Sequence, residues 1–140
     1  MEKENKLLLS KIDELDKQYL LMKTRITRAH SKSQEQIGIE IERLKDEIAE
    51  NTLLLQNTVA YCRSPALQKL ADVHLNYCSQ MEVLAKDLYK YMGETTQEKA
   101  EASALYAEYA VDFATQADRF ALLAALEAIQ IQNDEKENDA

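Results

Sequence analysis

The sequence predicts an all-α protein, an antiparallel up-down bundle of four helices. Three observations predict it. The chain has two Gly, one Pro and no Trp, and it is rich in Ala, Leu, Glu, Lys and Gln, the residues that lose least on entering a helix. Its apolar residues recur at alternating spacings of four and three, the seam of a helix packed lengthwise on another helix. Its breaks divide the 140 residues into segments of comparable length, which suits antiparallel partners joined by short loops. The expectation is one bundle domain over residues 1–132, with helices at about 4–30, 34–62, 65–92 and 96–132. A chain of this size buries about two thirds of its unfolded surface and needs no disulfide or metal to fold.

The first helix carries Leu8, Ile12, Leu15, Tyr19, Met22, Ile26 and Ala29 without a miss in the pattern. The second carries Ile37, Ile41, Leu44, Ile48, Asn51, Leu55, Thr58 and Cys62. Between them lies a polar stretch, 30–36, in which Ser31 with Gln34 and Ser33 with Gln36 each have the spacing of a capping box. There a hydroxyl and an amide satisfy the free backbone donors of a helix start. A turn at 30–36 gives four helices. An alternative stays open, because the apolar positions also thread through Ser33. Residues 4–62 would then form one coiled-coil-like helix about 87 Å long, leaving three helices in all and a dimeric protein.

Ser64 and Pro65 mark the next boundary. Serine is a favoured N-cap, and proline at the first helical position gives up a donor that would have no partner anyway. The third helix reads Leu67, Leu70, His74, Tyr77, Met81, Leu84, Leu88 and Tyr91, and Gly93 follows as its left-handed cap. Thr95 with Glu98 forms the capping box that opens the last helix. That helix holds eleven alanines between positions 100 and 128. From 120 to 131 its apolar side chains point nearly all round, interrupted by Glu127 and Gln130. A helix apolar all round must be covered on more than one side, so a protein partner or a second copy is expected there, with Phe113, Phe120, Leu123 and Leu126 as the interface residues. The remaining residues, 133–140, are polar and acidic and are expected to be a disordered tail.

The formal net charge is -8, unevenly spread. Residues 1–93 carry 14 Lys/Arg against 14 Asp/Glu, and residues 94–140 carry three against eleven. Such acidity disfavours nucleic acid and anionic membranes, whose binding rests on a basic surface. One basic island runs through Lys17, Lys23, Arg25, Arg28 and Lys32, with no acid between Asp16 and Glu35. It is either a possible anion contact, through Arg25, Arg28 and Lys32, or a helix face paired with an acidic neighbour such as the last helix. The N-terminus is polar and no segment has bilayer-spanning length. Cys62 and Cys78, on opposite sides of the proline, are expected at different heights and reduced. These readings together predict a cytoplasmic protein.

Motifs for chemistry are sparse. Two histidines without a Glu three residues before either exclude a di-iron carboxylate bundle, and no zinc set is present beyond the spacing of His74 with Cys78. Glycine-rich phosphate loops are absent, and Ser64 and Ser103 sit at a helix cap and on a helix face rather than on a nucleophile turn. No catalytic residue, metal or cofactor is expected.

Around His74, Val73-His74 and Leu84-Ala85-Lys86-Asp87-Leu88 resemble the active helix of the lactose/cellobiose-type carrier subunit of the sugar phosphotransferase system. The resemblance implies a phosphocarrier bundle with His74 as the phosphoryl acceptor. The chain departs from that pattern in having Tyr77 where the family has a metal-binding Asp, and Asn76 for its Gln; the likeness spans residues 73–88. Ala29-His30-Ser31-Lys32 is similar to a histidine phosphotransfer motif only in part. The leading expectation is a non-enzymatic helical interaction module, an adaptor, chaperone or assembly subunit. It would self-associate or bind a helical partner through its alanine-rich last helix.

Overall fold

The computed structural model describes residues 2–91 and 93–139. The protein is all-α, with helices α1 (Glu2–Ala29), α2 (Gln34–Tyr61), α3 (Pro65–Tyr91) and α4 (Thr96–Asp139). The expected end of the third helix at Met92 lies outside the described residues, as does Ala140.

The starts of α2, α3 and α4 are set by the caps the sequence provides. At α2 the turn is realised, which removes the single long helix over 4–62. Ser33 Oγ accepts from the Gln36 amide at 3.2 Å, and Gln36 Oε1 accepts from the Ser33 amide at 3.0 Å, a reciprocal capping box. Ser31 is used differently, its hydroxyl donating to the Arg28 carbonyl at the end of α1. Ser64 Oγ accepts from the Leu67 amide at 3.3 Å, and Thr95 Oγ1 from the Glu98 amide at 3.1 Å. Gly93 lies between α3 and α4 at φ 99°, a conformation that costs an L side chain about 1–2 kcal/mol.

α4 runs past its expected end at 132, through 133–139 to Asp139. No Gly or Pro stops it, and Glu135, Lys136 and Glu137 extend a helix at little cost. The less exposed stripe of α3 matches the expected seam at Met81, Leu84 and Leu88 and departs from it in the first half of the helix, the side chain of Tyr91 lying outside the described residues. Leu67, Leu70, His74 and Tyr77 are exposed, and the less exposed positions are Ala71, Leu75, Cys78, Met81, Leu84, Ala85 and Leu88. Ala71, Cys78 and Ala85 recur every seven positions on this face, and small side chains allow a close helix approach.

By its contacts the chain divides into two compact units, Met1–Leu54 and Leu55–Ala140. In the second unit α3 packs on α4, whose less exposed positions are Ala102, Ser103, Tyr106, Ala110 and Ala114. The only fully buried apolar residues among those described are Ala71 at 6% exposure and Ala102 at 1%. Gln68 Nε2 donates to the Cys62 carbonyl across the Ser64-Pro65 corner, and both cysteines are free and half-buried. In the first unit α1 and α2 meet at the capped turn, and among the described residues no close packing along their lengths is seen.

Candidate interaction surface

The first unit is built around an elbow. The α1 and α2 seams converge on the Ser33 turn and line a cleft of about 550 Å³ with Tyr19, Met22, Ile26, Ile37, Ile41 and Leu44. Every one of these is a seam position, so the wall follows directly from the four-and-three spacing. Away from the elbow, Leu8, Ile12, Leu15 and Ile48 stay exposed.

One acid latches the elbow. Glu40 takes Lys32 Nζ at 2.8 Å and Arg25 Nε at 3.5 Å. Its carboxyl is held below the ordinary carboxylate range, chiefly by the hydrogen bond from Lys32 against an opposing push from desolvation, with the charges of Lys32 and Arg25 adding to the fall. The basic island thus finds an acidic partner within the unit. Of the three residues offered as anion contacts, Arg25 and Lys32 are engaged by Glu40, and Arg28 is exposed. Sequence reasoning passed over Glu40, although its place beside Ile41, just past the turn from Lys32, was a usable signal.

The four residues expected at an interface lie on α4. Phe120 is 70% exposed, Phe113 is 39% exposed, and Leu123 and Leu126 are more than half exposed. Beyond Ala114 the helix is exposed apart from Ala125 and Gln132 up to position 138. His74 is exposed on α3, with Tyr77 on the same helix half-exposed. Among the described residues no three His, Cys, Asp or Glu side chains are grouped to hold a metal ion, and no helix is long and apolar enough to cross a membrane.

No family model matches the chain, and neither a curated protein nor a solved structure does.

Proposed function

We propose that the protein is a non-enzymatic helical interaction module, an adaptor, chaperone or assembly subunit whose apolar helix faces are completed by another helical chain or a second copy. The observation that carries this reading is the exposure of regular seams: Leu8, Ile12, Leu15, Ile26, Ile41 and Ile48 on α1 and α2, and the all-round apolar stretch 120–131 on α4. Contiguous apolar surface rimmed by charge is characteristic of protein contact sites. On α4 the proposed contact residues are Phe113, Phe120, Leu123 and Leu126, and α4 offers them to a helix laid in parallel or antiparallel register.

The test is sedimentation of the full chain beside the Phe120→Glu, Leu123→Glu double variant, with helicity followed by circular dichroism. The reading expects assemblies heavier than the 16.0 kDa chain, diminished in the double variant at unchanged helicity. Lowered stability with untouched association would remove α4 from the contact surface.

The exposure of His74 favours one second reading, a phosphocarrier in which His74 Nε2 or Nδ1 accepts a phosphoryl group. Phosphate transfer from a phosphorylated carrier protein that His74→Ala abolishes would support it. Acceptance by His74→Ala would end it.

A further inference from the structure

The elbow of the first unit is an open cleft between two seams, and its charges are arranged for a specific occupant. The stretch 17–32 holds five cations and no acid, whereas α2 holds Glu35, Glu40, Glu42, Asp46, Glu47 and Glu50 against Arg43 and Lys45. Lys23 and Arg25 flank the α1 seam at Met22 and Ile26. Glu40 and Glu47 flank the α2 seam at Ile41 and Ile48. Among the described residues Glu40 alone reaches across to the basic stretch, and neither Lys23 nor Glu47 has an ion pair.

We infer that a second copy of this chain closes the cleft, with the basic second half of α1 of each copy, 17–29, lying on the acidic α2 of the other about a two-fold axis. The inference rests on the interaction-module reading and names its partner. Three features favour a second copy over a foreign helix. Both halves of the complement, basic and acidic, sit in one unit, so a two-fold axis satisfies each of them twice with a single kind of contact. The helices match, α1 and α2 being 28 residues each. The unit is also close to neutral, since residues 1–54 carry ten Lys/Arg and eleven Asp/Glu, so two such units meet without net repulsion. Apolar seams supply the attraction, and the flanking charges fix which helix lies on which.

The same charges could be satisfied by the hairpin closing on itself, and charge reversal separates the two arrangements. One full-length variant carries Lys23→Glu with Arg25→Glu, a second carries Glu40→Lys with Glu47→Lys, and a third carries all four changes. Each pair alone sets like charges against each other and is expected to weaken self-association at least about tenfold, read by sedimentation equilibrium. Mixing the first two variants in equal amounts is expected to restore a dimer, because acidic α1 then meets basic α2 in trans. The fourfold variant is expected to self-associate like the wild type. Recovery in the fourfold variant without recovery in the mixture would overturn the inference in favour of closure within one chain. So would charge-reversed variants that associate like the wild type while Phe120→Glu, Leu123→Glu does not, a result that leaves the interaction-module reading standing on α4. A wild-type chain that stays at 16.0 kDa at every concentration would remove self-association altogether.

Discussion

The two units of this chain use similar helices to different ends. In Leu55–Ala140 α3 packs on α4, and the buried apolar residues among those described, Ala71 and Ala102, are both alanines. In Met1–Leu54 the seams are built of Leu, Ile and Met, the stronger hydrophobes, and none of these is buried. Regular large apolar residues make a helix want a partner, whereas small residues at seven-residue spacing allow a close helix approach. The difference locates the chain's self-sufficient part in α3 with the first half of α4, and its unfinished part in α1, α2 and the far half of α4.

The largest effect that would sharpen this contrast is expected from Ala102→Leu. Added methylenes at a 1% exposed site in a close helix contact should cost about 1–3 kcal/mol, seen as a lower thermal midpoint for the second unit. The corresponding enlargement Ala29→Leu, at the open elbow, should leave the midpoint nearly unchanged. Equal loss at both sites would show that the first unit is as tightly closed as the second.

Gly93→Ala should cost about 1–2 kcal/mol through its left-handed backbone, and the new methyl would also overlap the Glu98 carboxylate. Denaturant unfolding monitored at α3 and α4 measures it. Gly38, inside α2 with open space around it, should respond oppositely. Gly38→Ala is expected to stabilise the helix by roughly 0.5–1 kcal/mol.

Ser33→Ala removes one arm of the capping box and should destabilise α2 by about 1 kcal/mol, with no effect on α3 or α4 amides in hydrogen exchange. The smallest effect belongs to Glu40. Its folded-state pKa is depressed, so its contribution is present above the ordinary carboxylate range and fades as pH falls through the folded value. Glu40→Gln should flatten that part of the acid-unfolding curve for the first unit; an identical curve in both proteins would mean the latch contributes nothing.

Much of the fold was legible because it is local. The Ser33, Ser64 and Thr95 caps each act within three residues, and they placed the helix starts correctly. Where the sequence misleads, the deciding contact is distant or depends on size rather than polarity. Large apolar residues at Leu67, Leu70 and Tyr77 advertise one face of α3, but the less exposed face carries Ala71, Cys78 and Ala85, which carry little weight in an apolar pattern. The run 133–139 reads as a tail by its charge, yet nothing in it ends a helix. The elbow wall was legible as seam residues, and the basic island was legible as a charge run. That Glu40 joins the two depended on the geometry of the turn, which spacing alone does not supply.

The central claim is that the first unit is completed by a second copy while the α3–α4 contact stands alone. Amide hydrogen exchange of the full chain at high and low protein concentration tests it most directly. The account predicts that α1 and α2 amides lose protection on dilution, while those around Ala71, Ala85 and Ala102 keep theirs. Protection of α1 and α2 that is strong and independent of concentration would contradict it.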